Sequence, residues 1–292
     1  MIKIGVIFFG LPRDTSVTLP SIKRYILDIL DDYEVFIESC FSWQEQVVSV
    51  RSGENGAINE SNYDFFKSHS HQFLTPSQLL DLSIYEQISK FGDPWCNGGV
   101  SLRNLLMQLN CIKKAYLQCK ENNCDFYFFV RPDIVIEESI PINLFFAKGK
   151  NKNAALIPSW QWHEGGVNDR FAIVTKSSAD AYALRYDHVL EYCKSKGLPL
   201  HSESLLAYQF KRNNVKIWTF PAKMSRVRLG GVVKEECFSM INQMGPSKSI
   251  LQSQLSQIVL KDRYKRTLFV SRFLVIRFTK AVLVKIYNLK GR

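Results

Sequence analysis

Four short segments of the chain carry side chains that could bind or transform a ligand. In the first, Phe129-Val130-Arg131-Pro132-Asp133, an apolar run ends in an arginine and a carboxylate. Ligands of open α/β sheets bind beyond the carboxyl ends of the strands. There, Asp133 could hold a divalent cation or sugar hydroxyls, and Arg131 could meet a phosphate. An ordinary arginine–aspartate pair that closes a strand is the alternative, and the arginine at position 131 leaves no second carboxylate for a strong metal motif.

The second segment is the turn Gly10-Leu11-Pro12-Arg13, which follows the N-terminal apolar run. Glycine lets a ligand approach the backbone closely, and the N-terminus of the following helix favours an anion. Arg13 would add a fixed positive charge to that site. The alternative is an ordinary turn between a strand and a helix.

The third segment, residues 160–170, holds two tryptophans, a histidine, two acids and a pair of glycines. Aromatic faces stack on sugars, carboxylates bind hydroxyl groups, and glycines let a loop shape a pocket. The segment therefore favours a glycan-binding loop. The alternative is that Trp160 and Trp162 anchor the loop to the core.

The fourth segment is His201-Ser202-Glu203-Ser204, at the start of a helical pattern. Ser202 can cap that helix, with Glu203 in its first turn. Glu203 would then be a base or a ligand of an acceptor hydroxyl, although capping alone explains the pattern equally well. The sequence contains no Gly-x-Ser-x-Gly, P-loop or Gly-x-Gly-x-x-Gly motif, which excludes serine-nucleophile, ATP-hydrolysis and dinucleotide chemistry.

An alternation of strands and helices must position these segments. The apolar patterns predict strands at 2–9, 34–40, 125–130, 154–158, 169–174 and 215–218, and helices at 17–31, 100–120, 177–195 and 202–213. The first strand, helix and strand form a βαβ unit, which indicates a parallel sheet. Residues 44–75 are polar and poorly periodic, so we expect a loop with short helical pieces. We expect one α/β domain over residues 1–235 and a helical tail over 236–292.

The positive charge of the chain is concentrated in its last 32 residues. The net charge is +11 over 292 residues, but residues 261–292 hold ten basic residues and one acid, which leaves +2 for the rest. Apolar and basic residues there fall on opposite sides of a helix, as in helices that lie in a membrane interface. Anionic lipid attracts each basic residue by about 1 kcal/mol. A terminal helix packed on its own domain and a nucleic-acid patch are the alternatives, and we expect no nucleic-acid partner because base-reading aromatic residues are absent.

The composition is that of a globular protein, with 46% hydrophobic and 22% charged residues. No apolar stretch is long enough to predict a transmembrane helix, and the N-terminal run predicts a buried strand instead of a signal peptide. The seven cysteines are irregularly spaced, which predicts reduced thiols and a cytoplasmic protein.

Taken in order, the motifs resemble those of bacterial surface-polysaccharide glycosyltransferases of the GT-A fold, over roughly residues 2–220. The matching segments are Gly10-Leu11-Pro12-Arg13, Ser21-Ile22-Lys23, Glu34-Val35-Phe36-Ile37, Arg131-Pro132-Asp133, Asn168-Asp169-Arg170-Phe171-Ala172-Ile173 and Ser202-Glu203-Ser204-Leu205-Leu206. Arg131-Pro132-Asp133 stands where other GT-A enzymes carry Asp-x-Asp.

The resemblance implies a fold and a set of site residues. The fold would be α/β, a GT-A-like Rossmann-type mixed sheet flanked by helices, followed by the C-terminal basic amphipathic helix. The expected donor-binding residues are Gly10, Arg13, Arg103, Arg131 and Asp133. Asp133 would also bind Mn²⁺ or Mg²⁺, unless Arg131 replaces part of the metal's charge in a metal-independent reaction. The acceptor side would comprise Trp162, His163, Glu164, Gly165 and Gly166, with Glu203 or Asp169 as the catalytic base.

The implied activity is transfer of a sugar from a nucleotide-sugar donor to a lipopolysaccharide, capsule or related glycan acceptor. Such acceptors are linked to lipid, so the enzyme would lie on the inner face of the cytoplasmic membrane and bind its anionic surface through residues 261–292. A non-catalytic, membrane-associated module that binds a glycan or a partner and keeps a degenerate transferase fold is the alternative. The missing acid at position 131 supports that alternative.

Overall fold

A computed structural model describes residues 1–43, 47–49, 53–236 and 238 of the chain. The strands in this part of the chain are β1 (Lys3–Gly10), β2 (Glu34–Ser42), β3 (Val47–Ser49), β4 (Glu54–Gly56), β5 (Ser70–Leu74), β6 (Phe126–Val130), β7 (Ile134–Ile136), β8 (Ala154–Pro158), β9 (Phe171–Thr175), β10 (Lys216–Phe220) and β11 (Met224–Arg226). Its α-helices are α1 (Thr15–Ile22), α2 (Asp64–Lys67), α3 (Pro76–Leu79), α4 (Leu82–Ser89), α5 (Val100–Lys120), α6 (Ile142–Gly149), α7 (Ala179–Ala183), α8 (Val189–Lys196) and α9 (Ser202–Arg212).

Seven strands form one mixed sheet in the order β10-β8-β9-β6-β1-β2-β5. Neighbouring strands are parallel except at β9, which runs antiparallel to both β6 and β8. The predicted βαβ unit is present, since β1 pairs in parallel with β2 after the crossover through α1. The expected architecture, a Rossmann-type mixed sheet flanked by helices, is therefore confirmed.

Alternating side chains of the central strands build two separate cores. Ile4, Val6 and Phe8 of β1 face one core, where α6 packs Phe146 on Phe126 with their rings 4.3 Å apart. Ile7, Phe9, Tyr127 and Phe129 are among the residues facing the other core, beneath α5. Every residue of β6 is buried, as expected for a central strand covered on both faces.

The long helix α5 supplies the largest cover for the second core. Its buried leucines recur at helical spacing, at positions 102, 105, 106 and 109, and each fully buried leucine contributes about 1.5–3 kcal/mol. The helix comes so close to β1 that a Cβ atom on Gly5 would lie 2.5 Å from the Cys119 sulfur. Gly5 is thus required by the contact between the helix and the sheet.

The expectation of a loop with short helical pieces over residues 44–75 is confirmed for the helical pieces and wrong about the strands. This segment contains the β3–β4 hairpin, the short helix α2 and the strand β5, which pairs in parallel with β2 at the edge of the sheet. The pattern failed because β5, Ser-His-Gln-Phe-Leu, is an edge strand whose residues are exposed or half-buried. A strand with a polar, solvated edge gives little of the apolar signal used to predict strands.

The helix predicted at 177–195 is interrupted. It is divided into α7 and α8 by a 3₁₀ segment, Leu184–His188. The buried residues Ala179, Tyr182, Tyr186 and Val189 keep helical spacing across this segment, so the apolar period did not reveal the tighter turn.

The chain leaves the sheet through a strap, the segment 224–236. It begins with β11, which pairs antiparallel with β7, and Val227 and Val233 then form a bridge around a two-glycine turn. The amphipathic helix expected in 261–292 lies outside the described residues, and the boundary near residue 235 stays a prediction. Among the described residues, no helix is both long and apolar enough to cross a membrane.

Candidate functional site

The site lies where β1 and β6 end at their carboxyl edge and where the antiparallel β9 begins. Gly10 is the last residue of β1, Arg131 directly follows β6, and Arg170 directly precedes β9. The ladders hold these ends side by side, because Phe8 pairs with Val130 and Val130 pairs with Phe171. Segments far apart in sequence therefore meet at the edge where α/β sheets bind ligands.

Asp133 is the centre of this edge and is fully buried. Arg131 holds it with two parallel bonds, Nε to Oδ1 at 2.8 Å and Nη2 to Oδ2 at 2.7 Å. Arg13 donates from Nη1 to the same Oδ2 at 2.5 Å. Burial by itself raises the carboxyl pKa, but the charges of Arg131 and Arg13 outweigh it and hold the pKa of Asp133 well below its usual range.

A second buried carboxylate, Glu54, comes from the β3–β4 hairpin. It accepts from Arg13 Nε at 2.8 Å, from Arg228 Nη1 at 3.0 Å and from the backbone N–H of Leu229 at 3.2 Å. Arg13 thus bridges Asp133 and Glu54. Glu54 also joins the hairpin to the strap. Glu54 could not be singled out from the sequence because the surrounding segment has no recognisable period.

A third buried carboxylate, Glu236, ends the strap. Arg226 Nε donates to it at 2.5 Å and Arg170 Nη1 at 3.2 Å, and the Gln161 side-chain amide donates to its other oxygen. Burial raises the pKa of Glu236, but the bonds and charges of Arg226 and Arg170 give a net lowering. Burial and the nearby charge of Arg226 lower the pKa of Arg170 to about 10.

These eight side chains, hereafter the arginine cluster, are not balanced in charge. None is more than 17% exposed. The members are the arginines 13, 131, 170, 226 and 228 and the carboxylates of Asp133, Glu54 and Glu236. Five positive and three negative charges leave an excess of positive charge, which the nearby buried carboxylate of Asp169 offsets only in part. Excess positive charge in a desolvated site is costly alone and is stabilised by an anion.

The pKa values of the neighbouring Lys234 and of the cluster member Arg228 reflect this positive potential. Burial and then the charge of Arg226 lower the pKa of Lys234. The same two causes, in the same order, lower the pKa of the Arg228 guanidinium. Arg228 Nε is also buried without a hydrogen-bond partner. A cation beside like charges has a lowered pKa, so the cluster attracts negative ligands.

An open cleft of about 570 Å³, part of it continuous with solvent, adjoins the cluster. Arg13 and Arg131 form one part of its lining. The rest is Gly10, Leu11, Ser42, Val47, Asn104, Met107, Gln108 and Cys111. Gly10 has φ +104°, a backbone conformation that favours glycine. The amides of Asn104 and Gln108 stand one helical turn apart on α5. This polar i, i+4 pair is the feature of the sequence that could have indicated this side of the cleft.

The loop 159–170 is fixed against the N-terminus of α9. A Cβ atom on Gly166 would lie 2.2 Å from the carbonyl carbon of Glu203, and the neighbouring Val167 N–H donates to the Glu203 carbonyl at 3.1 Å. The Ser202 hydroxyl donates to the Asp169 carboxylate. The glycine therefore permits direct backbone contact between the loop and the helix, and this contact joins the two predicted acceptor-side segments.

Asp169 lies within electrostatic reach of the arginine cluster. Burial alone would lower the pKa of Arg131. The negative charge of Asp133 and, to a smaller extent, that of Asp169 raise it, so the pKa of Arg131 lies above its ordinary value. The Tyr182 hydroxyl donates to the Asp169 backbone carbonyl at 3.0 Å and fixes that residue. Glu203, on the first turn of α9, lies 3.4 Å from His201 Nε2.

The structure gives the tryptophans of the loop an anchoring position. Trp162 is buried and its indole N–H donates to the Pro158 carbonyl at 2.8 Å, while Trp160 donates to the Ala222 carbonyl at 2.8 Å. This arrangement matches the alternative in which they hold the loop to the core. His163 is exposed and Gly165 has φ +70°. The side chain of Glu164 lies outside the described part of the chain.

Arg103, expected to bind the donor, lies on α5 and packs against α4. Its guanidinium packs over the Tyr85 ring of α4 at 5.4 Å and donates to the Gly98 carbonyl at 3.3 Å. The cleft lining on α5 is formed by its neighbours, from Asn104 onwards. Donor binding by Arg103 stays a prediction.

The residues present do not fit a protein-built metal site at Asp133. Both of its oxygens accept guanidinium hydrogen bonds, and the side chain has no exposed surface. Within the described residues, no group of three histidine, cysteine, aspartate or glutamate side chains is arranged to hold a metal ion. Divalent cations such as Mg²⁺ and Mn²⁺ need open oxygen ligands, which this carboxylate does not offer.

No protein-family model matches the chain, and no curated protein matches it in sequence. Solved structures similar to it include two mannan-related transferases. Core-mannan synthase A (CmsA/Ktr4) from Aspergillus fumigatus, solved in a Mn/GDP form, is 7% identical with a TM-score of 0.45, covering 86% of this chain and 82% of that one. The mannosyltransferase Ktr4p from S. cerevisiae is 11% identical with a TM-score of 0.46, covering 87% of this chain and 79% of that one. Similarities of this size say nothing about which reaction the residues of this chain perform, and the expected bacterial family stays a prediction.

Proposed function

We propose that this chain is a glycosyltransferase that takes its sugar from a nucleoside-diphosphate donor. The observation that carries the proposal is the arginine cluster beside an open cleft at the carboxyl edge of the sheet. Its excess positive charge complements the two negative charges of the diphosphate in a nucleotide sugar. Guanidinium groups also match phosphate oxygens in geometry.

The cleft suits the nucleoside part of such a donor. Leu11, Val47 and Met107 offer apolar surface to a base, and the amides of Asn104 and Gln108 offer hydrogen bonds to its edge. Arg13 and Arg131 line the same cleft, so a base bound there would direct its diphosphate into the arginine cluster.

The reaction needs two charge effects that the site can supply. The acceptor hydroxyl oxygen bonds to the anomeric carbon, and the bond from that carbon to the diphosphate oxygen breaks. Its electron pair leaves with the nucleoside diphosphate, whose growing charge the arginines stabilise. The hydroxyl proton passes to a carboxylate.

Asp169 and Glu203 are the proposed bases, and Asp169 is the better supported of the two. It lies near enough to Arg131 to affect that pKa, and a serine hydroxyl and a tyrosine hydroxyl fix the residue. Glu203 stands on the adjoining first turn of α9 and keeps its role as the alternative base.

The acceptor is proposed to be a lipid-linked surface glycan, such as a lipopolysaccharide or capsule precursor, reached from the cytoplasmic side of the membrane. Support comes from the sequence of residues 261–292, whose net charge of +9 is suited to an anionic bilayer.

A nucleotide-binding panel tests the proposal. Thermal melting would be followed with UDP, GDP, CMP and their sugar conjugates, and we expect one nucleotide class to stabilise the protein saturably. At a concentration 100 times Kd the stabilisation is about 2.7 kcal/mol. Arg13→Gln should lose the shift, and Arg24→Gln, at an exposed position two residues beyond α1, should keep it. If every nucleotide fails in a protein that melts cooperatively, the non-catalytic glycan- or partner-binding module becomes the better assignment.

A further inference from the structure

Asp133 stands where a metal-binding acid was expected, but arginines surround its carboxylate. Arg131 approaches both of its oxygens and Arg13 approaches one, so three charge-assisted hydrogen bonds converge on one buried carboxylate. A divalent cation placed there would have to displace two guanidinium groups and would meet their like charge. Asp133 is therefore a partner for arginines.

We propose that Arg131 and Arg13 take the place of a divalent cation as the charge partners of the leaving diphosphate, with Asp133 as the positioning residue that orients both guanidinium planes. This inference rests on the proposed function. It predicts a donor complex and a transfer reaction that need no divalent cation.

The geometry leaves the arginines able to serve a ligand while Asp133 holds them. Arg131 uses Nε and Nη2 for Asp133, and its remaining group, Nη1, makes only a long 3.4 Å contact with Gln108, a residue of the cleft lining. Arg13 is fixed between Asp133 and Glu54, and its side chain also reaches the cleft. Both cations are thus rigid before a donor arrives, which spares the reorganisation cost at the moment of reaction.

The charges of the cluster also indicate that no divalent cation is needed. The cluster already holds an excess of positive charge, so a diphosphate with two negative charges brings it toward neutrality. A bound Mg²⁺ or Mn²⁺ would add two positive charges again, beside guanidinium groups that are largely buried. The cation would therefore lack the electrostatic advantage that it has in a site built from acids.

The first experiment measures nucleotide affinity by titration calorimetry on the full chain, in EDTA and in Mn²⁺. We expect the two Kd values to agree within about threefold. Tight binding in Mn²⁺ that disappears in EDTA would overturn this inference and leave the proposed function standing. No binding under either condition would overturn the proposed function itself.

The second experiment separates a positioning role for Asp133 from a metal-ligand role. Asp133→Asn keeps the shape but weakens the hold on both arginines, so nucleotide affinity should fall about 10- to 100-fold, equally in EDTA and in Mn²⁺. If Asp133 were a metal ligand, Asp133→Asn would remove only the part of the nucleotide affinity that Mn²⁺ adds. The nucleotide affinity in EDTA would then be unchanged. That second pattern contradicts the proposal.

The third experiment tests the arginine directly. Arg131→Asp creates the pair of acids that the chain lacks, so binding should weaken strongly in EDTA and be partly restored by Mn²⁺. Arg131→Lys, which keeps the charge but not the paired hydrogen bonds, should bind with intermediate affinity and without dependence on Mn²⁺. Cooperative melting of each variant would establish that it folds, and an Arg131→Lys variant with wild-type affinity would count against a specific guanidinium role.

Discussion

Replacing Gly166 by alanine should damage the acceptor side while leaving the donor side intact. The new Cβ would lie 2.2 Å from the carbonyl carbon of Glu203, 2.4 Å from the Ser204 nitrogen and 2.5 Å from the Glu203 oxygen. All three atoms are backbone, so no side-chain rotation relieves the clash. Since ordinary contact begins near 3.4 Å, the loop must move away from α9 by about 1.2 Å.

The displacement sets the expected size of the effect. Overpacking of this kind costs about 1–3 kcal/mol, which lowers Tm by roughly 2–4 °C per kcal/mol in a domain of this size. A shift of about 1 Å in a catalytic group can cost about 100-fold in rate. Because the moving loop carries Asp169, we expect transfer to fall by about that factor.

The matched control is the neighbouring glycine. Gly165 has φ +70° and open space around its missing side chain, so Gly165→Ala meets only backbone strain of about 1 kcal/mol. Calorimetric melting, nucleotide titration and a radiolabelled sugar-transfer assay would be run on both variants. The reasoning is refuted if Gly166→Ala is as stable and as active as Gly165→Ala, or if it loses nucleotide binding along with transfer.

Three further outcomes are expected. Gly5→Ala should lower the free energy of unfolding by about 1–3 kcal/mol, because its Cβ would lie 2.5 Å from the Cys119 sulfur, and Cys119→Ala in the same chain should recover part of the loss in urea unfolding. The lowered pKa of Asp133 stabilises the fold above the unfolded pKa of about 4, and this stability is lost as pH falls toward the folded pKa. The unfolding free energy of Asp133→Asn should therefore fall less than that of the wild type between about pH 5 and pH 3, and equal slopes would contradict the assigned ion pairs. Removal of residues 261–292 should release the protein from anionic liposomes in sedimentation while sparing nucleotide affinity, and a truncated chain that still sediments would disprove the role of the tail.

The sequence was most informative where burial alone decides the structure. Apolar runs that lie under helices on both faces, such as β1 and β6, were predicted within a residue or two. The edge strand β5 was missed because one of its sides faces solvent and its composition is polar. The other edge strand, β10, was predicted at 215–218 because its end is buried, so exposure and polar composition, and not the edge position alone, hid β5.

At the site, too, only part of the arrangement could be predicted from local patterns. Gly10, Arg13, Arg131 and Asp133 could be singled out because each stands at or just beyond the end of a recognisable apolar strand, and adjacent parallel strands bring such ends together. What could not be foreseen was how Asp133 is used. Its partner Arg13 lies 120 residues away in the chain, and no local pattern encodes that pairing.

Nothing in the sequence indicated that Glu54 and Glu236 belong to the site. Each reaches the site on a short element, the β3–β4 hairpin or the strap, whose position depends on long-range hydrogen bonds. Within its own segment, neither stands out, since Glu54 is an acid in a polar stretch and Glu236 is the second of two adjacent acids. Their function as buried counter-ions becomes visible only when the five arginines are seen together.

The most direct test of the central claim is the affinity of the arginine cluster for a nucleoside diphosphate. Isothermal titration would compare the wild type with Arg131→Gln and with Arg212→Gln, an exposed arginine paired with Glu191. The account predicts one site per chain, weakened at least tenfold by Arg131→Gln and unchanged by Arg212→Gln. Equal affinities in all three proteins would contradict the account, because the diphosphate would then bind somewhere other than this cluster.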